Sequence, residues 1–329
     1  MSNDKKNYDS PVQATLTGII NLFKKRPRIG LLSPDERLDG KKILITGASS
    51  GLGFATAVEL AKRGGTVIMA VRSGFPEKAK EVKQKSGSDN VFIHQVDLSD
   101  FDSIKNLVRE IKSEYREIDI LICNAAVVAK KSIQTKSGLE QMFVVNYLAK
   151  FVLVQLLLKN NCFNHHQETL PRIVFVTSES HRNPDEYRWD EFGKYVPHSV
   201  GKTVEIYGYY KLLLVTLARE LSRRLNAEKL MFSVFALCPG PVNSNIAREA
   251  PWLFKPLLRL VFYFFFRSPA KACEPVVWLS TSKQEEGKTF DYLFLMERKP
   301  IDEKAKDAAN GKKLWEMTEE LVNKLKVFD

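Results

Sequence analysis

The strongest constraint on the fold of this 329-residue chain is a regular alternation of short apolar runs with helical segments. Each apolar run has the length of one strand, and the segments between the runs place apolar residues at helical spacing. The predicted strands are KKILIT (41–46), TVIMAV (66–71), VFIHQVD (91–97), IDILICN (118–124), RIVFVTS (172–178), MFSVFALCPG (231–240) and EGKTFDYLF (286–294). The predicted helices cover residues 51–64, 76–87, about 100–115, about 136–160, about 203–226 and a polar tail at 302–326.

This order of elements predicts a doubly wound α/β fold with a parallel sheet. Strands that alternate with helices of this length imply crossover connections, and right-handed crossovers place helices on both faces of the sheet. The strands are apolar throughout, as expected when both faces are covered. Residues 41–300 are therefore predicted to form one domain, between an N-terminal extension (1–40) and a C-terminal helix (301–329).

Composition and charge narrow the class of protein. Hydrophobic residues make up 44% and charged residues 27% of the chain, which is typical of a globular protein in water. The net charge of +11 comes from lysines and arginines spread along the chain without a nucleic-acid-binding motif, so no nucleic-acid partner is expected. The four cysteines lie far apart and the histidines do not cluster, which predicts no metal site and favours a reducing, cytoplasmic compartment.

The stretch ITGASSGLG, residues 45–53, joins the first predicted strand to the first predicted helix. In a doubly wound sheet, ligands bind beyond the carboxyl ends of the strands, and a helix N-terminus there favours an anion. Gly47 allows the turn, Gly51 lets the backbone approach a pyrophosphate, and Gly53 lets the helix pack on the strand. The spacing in this context predicts a dinucleotide site.

TGASSGLG resembles the cofactor motif TGxxxGxG of the single-domain short-chain dehydrogenases/reductases, and the resemblance covers roughly residues 41–294. It implies a Rossmann-type fold and a nicotinamide cofactor. Asp97 looks like the adenine contact of that family, and Asn124-Ala125-Ala126 is similar to its Asn-Asn-Ala-Gly segment, with Cys123 and Ala126 changed. The predicted cofactor-binding residues are Thr46, Gly47, Ser49, Ser50, Gly51, Leu52, Gly53, Arg72, Asp97, Leu98, Asn124, Ala125, Ala126, Tyr207, Lys211, Pro239, Gly240, Val242 and Ser244.

Arg72 indicates which cofactor is bound. An NAD site usually carries an acidic residue at the end of the second strand, where it binds the ribose hydroxyls. Here that strand ends Val71-Arg72-Ser73, and an arginine can form charge-assisted hydrogen bonds to a 2′-phosphate. We therefore expect NADP rather than NAD, although a surface arginine at the start of a loop is the alternative interpretation.

Tyr207 and Lys211 are the predicted proton-transfer pair. They lie four residues apart on a predicted helix and so share one face, where a nearby ammonium group would lower the pKa of the phenol. With Ser178 at the end of the fifth strand they resemble the Ser…Tyr-x-x-x-Lys constellation of the family, which implies that Ser178 positions the substrate oxygen. Asn146 matches a further catalytic Asn, which would hold a water in a proton relay through Lys211.

These residues predict an NADP-dependent oxidoreductase that interconverts an alcohol and a carbonyl. RIVFVTSESHR and the later segments look most like the retinol dehydrogenase and WW-domain oxidoreductase branch, which implies a retinoid-, steroid- or lipid-aldehyde-like substrate. The alternatives are a non-catalytic nucleotide-binding regulator, a membrane-surface adaptor and a reductase of carbon–carbon double bonds.

Two apolar segments bear on the substrate and partners. Residues 251–266 (PWLFKPLLRLVFYFFF) lie in a segment, about 241–270, that we interpret as a flap over the substrate; core packing, a homodimer surface and peripheral membrane contact are the alternatives. Residues 14–26 end in a basic run and fit either an interfacial helix or an arm packed on the protein.

Overall fold

The computed structural model describes residues 29–30, 32–33, 35–165, 169–240 and 268–328. Within these residues one sheet of eight strands has the order β3-β2-β1-β4-β5-β6-β7-β8. The strands are β1 (Lys42–Thr46), β2 (Thr66–Val71), β3 (Val91–Gln95), β4 (Ile120–Cys123), β5 (Arg172–Val176), β6 (Ser233–Cys238), β7 (Phe290–Phe294) and β8 (Glu297–Arg298). The first seven strands are parallel, and Ile43 of β1 is aligned with Val67 of β2 and Ile120 of β4.

Helices pack on both faces of this sheet. They are α1 (Gly51–Lys62), α2 (Glu77–Ser86), α3 (Phe101–Tyr115), α4 (Gln141–Lys159), α5 (Thr203–Ala227), α6 (Pro269–Ala272), α7 (Glu274–Thr281), α8 (Glu303–Lys306) and α9 (Ala308–Lys324). The predicted doubly wound α/β fold is confirmed. The sheet is mixed, however, because the short strand β8, which the sequence pattern did not predict, pairs antiparallel with β7.

The core is divided by the sheet into two clusters. In β1, Leu44 belongs to the cluster beneath α3, α4 and α5, while Ile43 and Ile45 belong to the cluster beneath α1 and α7. Successive side chains of a strand point to opposite faces, so a continuously apolar strand is buried on both. The prediction is wrong for β3, where Phe92 is exposed, because an edge strand is covered less completely.

Some strands end earlier than their apolar runs suggested. β3 ends at Gln95 and β5 at Val176, so Asp97 and Ser178 lie two residues beyond their strands rather than at the strand ends. Asn124 likewise follows β4, which ends at Cys123. These residues therefore lie in loops at the carboxyl edge of the sheet, where ligands bind in open α/β folds.

Helix α4 begins at Gln141, later than predicted, and includes a π-helical turn at Val144–Leu148. Among the described helices it is the one with the length and apolar composition of a membrane span, with a mean hydropathy of 1.6. Because 83% of that apolar window is buried within the protein, α4 serves as a core helix of this fold.

The tail predicted as one polar helix is two helices, and the longer one contributes to the core. Leu314 and Trp315 of α9 are buried, and the Trp315 ring packs edge-on against Phe151 of α4 at 5.0 Å between ring centroids. The hydroxyl groups of Tyr147 in α4 and Thr318 in α9 are hydrogen-bonded at 2.6 Å. The tail thus completes the packing around α4.

Several of the sequence-based predictions concern residues that the structure does not describe. They are the cofactor contacts Val242 and Ser244, the apolar stretch 251–266 within the expected flap, and the segment 14–26.

Candidate active site

A cleft of about 690 Å³ opens at the carboxyl edge of the sheet, where the strand order reverses between β1 and β4. This volume lies within the range of small-molecule sites. Its lining combines both sets of predicted residues, the glycine turn and the proton-transfer group. The lining residues are Ser50, Gly51, Leu52, Asn124, Ala126, Val128, Lys130, Val176, Thr177, Ser178, Val200, Thr203, Val204, Tyr207, Lys211, Cys238, Pro239 and Gly240.

The glycine turn after β1 has the close contacts that its sequence predicts. A side chain at Gly53 would meet the carbonyl oxygen of Gly47 and the side-chain nitrogen of Asn124, each at 2.4 Å from its Cβ. Gly47 and Gly51 both have positive φ, and a Cβ at Gly51 would meet no atom within 4 Å. The turn is therefore tightly packed at Gly53, whereas Gly51 leaves free space on the side of the cleft.

The N-terminus of α1 lines the cleft through Ser50, Gly51 and Leu52. Its N-cap, Ser50, makes no side-chain capping hydrogen bond, and the first turn holds no acidic residue. Free backbone N–H groups and the helix dipole favour an anion at such a position. The turn therefore fits the pyrophosphate of a dinucleotide.

Asn124 joins the end of β4 to this turn. Its side-chain amide donates to the carbonyl oxygens of Thr46, at 2.9 Å, and Gly47, at 3.1 Å. The backbone N–H groups of Asn124 and Ala125 donate to the Thr46 hydroxyl. Thr46, which is buried, thus acts behind the cleft wall rather than in it.

Tyr207 and Lys211 share one face of α5, as predicted, and both line the cleft. The Lys211 ammonium nitrogen lies 5.4 Å from the centroid of the Tyr207 ring and donates to the carbonyl oxygen of Val176 at 3.0 Å. Because Val176 is the last residue of β5, this bond fixes the lysine against the strand that leads to Ser178.

A short 3₁₀ turn, Glu179–Arg182, holds Ser178 beside α5. The Ser178 hydroxyl accepts from the Ser180 hydroxyl at 2.9 Å, and the buried His181 ring donates through Nδ1 to the Ser178 carbonyl at 2.8 Å. A side chain at Gly208 would meet the Ser180 carbonyl oxygen at 2.8 Å, so the glycine next to Tyr207 allows this approach. The cleft thus brings Ser178, Tyr207 and Lys211 together.

The electrostatics of the pair differ from the sequence-based expectation. Burial raises the pKa of the Tyr207 phenol, and no effect of Lys211 offsets it. Burial, together with the like charge of Lys150, lowers the pKa of Lys211 to about 7. The expectation that Lys211 lowers the pKa of the phenol is therefore wrong for this structure, because the shift is upward and burial is its largest cause.

Asn146 is buried within the π-helical turn of α4 and does not line the cleft. Its side-chain oxygen accepts from the Val127 N–H and its nitrogen donates to the Val127 carbonyl, both at 2.8 Å. The side chain therefore holds the chain segment next to the cleft, and the predicted relay role stays a prediction.

The remaining predicted cofactor residues lie along the same edge of the sheet. Arg72 follows β2 and is exposed, and Ser49 lies near Gly74 in the loop after that strand. Asp97 follows β3 and accepts from the N–H and hydroxyl of Ser99, while the adjacent Leu98 is buried.

Sequence reasoning missed a buried lysine and a buried acid–histidine pair. Lys150 lies in α4, and its only sequence signal was a lone lysine in an apolar helical run. Glu140 and His198 form a fully buried pair, with the His198 Nε2 and the Glu140 Oε1 3.6 Å apart. No local pattern distinguishes these two residues from ordinary surface charges.

The fold and cleft define a class: an α/β protein with a dinucleotide turn beside a tyrosine, a lysine and a serine. A family model described as short chain dehydrogenase matches residues 41–188. Retinol dehydrogenase 14 of Homo sapiens is 33% identical over 339 residues, covering 96% of this chain and 98% of that protein. Retinol dehydrogenase 13 of Mus musculus is 31% identical, covering 94% of this chain and 92% of that protein. The chain therefore belongs to the short-chain dehydrogenase/reductase family of oxidoreductases, which use nicotinamide cofactors.

Solved structures agree on the fold. A putative uncharacterized protein from Mycobacterium paratuberculosis has a TM-score of 0.66 and 24% identity, covering 89% of this chain and 98% of that one. The NADPH-dependent 3-quinuclidinone reductase from Rhodotorula rubra has a TM-score of 0.60 and 18% identity, covering 83% of this chain and 97% of that one. At these identities the likeness concerns the fold alone.

Proposed function

We propose that this protein is an NADP(H)-dependent oxidoreductase that interconverts an alcohol and a carbonyl on a lipophilic substrate. The observation that carries the proposal is that Ser178, Tyr207 and Lys211 line one cleft with the glycine turn. The cofactor supplies or accepts the hydride. The protein holds the substrate oxygen and moves the proton.

Tyr207 exchanges the proton with the substrate oxygen. Because burial raises its pKa, the phenol is protonated at neutral pH, which is the form that donates a proton to a carbonyl oxygen during reduction. Ser178 donates its hydroxyl hydrogen to the same oxygen and so positions it. Lys211, with a pKa near neutrality, can take up or release a proton at Nζ beside the phenol ring. Asn146 supports this site by fixing the backbone of Val127.

Arg72 supports NADP over NAD. It is exposed directly after β2, and neither of its chain neighbours, Val71 and Ser73, is acidic. A guanidinium group here can pair with a 2′-phosphate, whereas the ribose hydroxyls of NAD would lack the usual carboxylate.

The lipophilic substrate is supported by the outer part of the cleft and by the relatives. Leu52, Val128, Val200 and Val204 contribute apolar side chains, and the last three are well exposed at its mouth. The similar proteins are named retinol dehydrogenases, so retinoid-like alcohols and aldehydes are the first compounds to test. Contact with a membrane and homodimer formation stay predictions.

The proposal is tested by measuring NADPH consumption with retinal, steroid ketones and simple aldehydes. We expect turnover with a lipophilic carbonyl and a clear preference for NADPH over NADH. Absence of turnover with every alcohol and carbonyl, in either direction, would contradict the proposal.

Tyr207→Phe tests the mechanism. The variant should lose turnover by at least about a hundredfold, since a positioned proton donor contributes on that order, while NADPH binding remains nearly unchanged. Tyr209→Phe is the matched control: it removes a phenol hydroxyl from the same helix, but one that contacts the backbone of Arg188 outside the cleft. Full activity of Tyr207→Phe would show that Tyr207 is not the proton donor.

A further inference from the structure

Lys150 is a buried lysine that the reaction proposed above leaves without a role. It lies in the middle of α4 with 2% of its surface exposed. Its ammonium group donates to the carbonyl oxygen of Ala125 at 2.9 Å and to that of Val145 at 2.8 Å. A buried charge is costly, so its place in an apolar helix calls for a function.

The two carbonyl groups belong to elements that shape the cleft. Ala125 follows Asn124 in the segment 124–127, which borders the glycine turn through the hydroxyl of Thr46. Val145 lies in the π-helical turn of α4, next to Asn146, whose amide binds both backbone polar groups of Val127. Lys150 and Asn146 therefore attach the segment 124–127 to α4 at two successive points.

Lys150 and Lys211 bind carbonyl groups at the ends of two neighbouring strands. Lys150 binds Ala125, just beyond β4, and Lys211 binds Val176, the last residue of β5, which pairs with β4. The titratable groups that face Lys150 are Cys123 at the end of β4 and Lys211 on α5. Those that face Lys211 are Lys150, Cys238 at the end of β6, and Tyr207 on its own helix. Burial raises the pKa of both thiols, to about 12 for Cys123 and about 11 for Cys238, so neither carries a negative charge near neutral pH.

We propose that Lys150 is a positioning residue of this active site: it anchors the segment 124–127 against α4, and its buried charge acts on the side chain of Lys211. The proposal rests on the proposed function, because Lys211 is the group through which the charge reaches the chemistry.

As a consequence of this arrangement, Lys211 changes its charge near neutral pH. Burial lowers the pKa of Lys150 to about 8, and burial with the charge of Lys150 lowers that of Lys211 to about 7. Without the charge of Lys150, Lys211 would stay protonated to higher pH, because a like charge disfavours the charged form. Without the anchor, the segment 124–127 would lose one of its two attachments to α4.

The test measures NADPH affinity by fluorescence between about pH 6 and about pH 9, where both lysines titrate. Lys150→Met removes the charge and the donors at similar length, and Lys150→Gln keeps an amide donor without the charge. Lys159→Met, at the exposed end of the same helix, is the control. Lys211→Met identifies which step of the pH profile belongs to Lys211, because an anionic cofactor binds the protonated lysine better.

We expect that step to lie at higher pH in both Lys150 variants and at the wild-type pH in the control. We also expect Lys150→Met to weaken NADPH binding by about tenfold, the order expected for a lost charge-assisted hydrogen bond, and Lys150→Gln to weaken it less. Circular dichroism verifies that each variant is folded. If Lys150→Met does not fold, the comparison of Lys150→Gln with the wild type provides the test.

A folded Lys150→Gln with the wild-type affinity and pH step would overturn the proposal. A loss of affinity without movement of the step would reduce Lys150 to a structural anchor and would equally overturn the electrostatic part. Neither result depends on turnover, so failure of the proposed reaction, with inactive wild-type enzyme, is distinguishable from failure of this inference.

Discussion

At the scale of single residues, burial decides the charge state of the proposed catalytic groups. Burial raises the pKa of the Tyr207 phenol, which therefore stays neutral, and burial with the like charge of Lys150 lowers the pKa of Lys211 to about 7. A neutral acid beside a lysine that readily exchanges its proton is well suited to a reaction that consumes one proton per reduction.

Arg72→Asp should reverse the expected preference between cofactors. An acidic residue after β2 repels a 2′-phosphate but can bind the ribose hydroxyls of NADH. We expect NADPH affinity to fall by at least about tenfold, the effect of one lost charge-assisted bond, with little loss for NADH. Dissociation constants for both cofactors provide the measurement, and equal losses for the two would refute the phosphate contact.

His181 should make the fold sensitive to acid. Burial, helped by the nearby Arg182, lowers its pKa from 6.5 to about 4. As the pH falls through this interval, His181 binds a proton in the unfolded chain but not in the folded protein, so the free energy of unfolding decreases. The loss is on the order of 3 kcal/mol and is complete near pH 4.

Urea denaturation at a series of pH values measures this effect. His181→Gln should be less stable than the wild type at neutral pH, since it disturbs the bonds to Ser178 and Asp302, but should show a smaller loss on acidification. Parallel pH profiles for the two proteins would show that another group is responsible.

At the scale of elements, the proposed active site depends on how closely the turn after β5 approaches α5. Gly208 permits this contact, because any side chain there would collide with the backbone of Ser180. The same principle operates at Gly53 in α1, where the glycine turn and Asn124 occupy the space of a side chain. In both helices a glycine, despite its low helix propensity, allows a neighbouring segment of backbone to approach closely.

Gly208→Ala should therefore impair the enzyme. Alanine would gain about 1 kcal/mol of helix propensity, but a Cβ 2.8 Å from a backbone oxygen forces the turn away at a cost of about 1 to 3 kcal/mol. Displacement of Ser178 from Tyr207 should lower kcat more than it raises KM. Gly201→Ala is the control, since a Cβ there meets nothing within 4 Å, and a wild-type kcat in Gly208→Ala would refute the close-approach argument.

At the scale of the whole molecule, α9 joins the tail to the centre of the fold. Trp315 packs against Phe151, and the guanidinium of Arg224 from α5 lies 4.5 Å from the centroid of the Trp315 ring.

Trp315→Ala should cost about 3 to 5 kcal/mol of unfolding free energy, as is typical for loss of a large buried aromatic residue. Urea unfolding measures it, and Glu319→Ala on the exposed face of α9 should change stability by no more than about 0.5 kcal/mol. Similar values for the two variants would contradict the packing role of α9.

The parts of the molecule that sequence could predict are those governed by local pattern. Strand–helix alternation predicted seven of the eight strands, and the motif spacing predicted that Ser178, Tyr207 and Lys211 meet at one edge. Strand β8 escaped prediction because two residues carry no periodicity. The upward shift of the Tyr207 pKa was not predicted, because its largest cause is burial, which depends on how the whole chain packs rather than on the spacing of Tyr207 and Lys211.

The packing of α4 against α9 has a consequence for biosynthesis. Tyr147 and its partner Thr318 are 171 positions apart, so a ribosome makes α4 long before the helix that covers it. During that interval the emerging chain carries an apolar segment with the length of a bilayer span. Lys150 lies at its midpoint, where a charge opposes insertion by the translocon by about 3 kcal/mol.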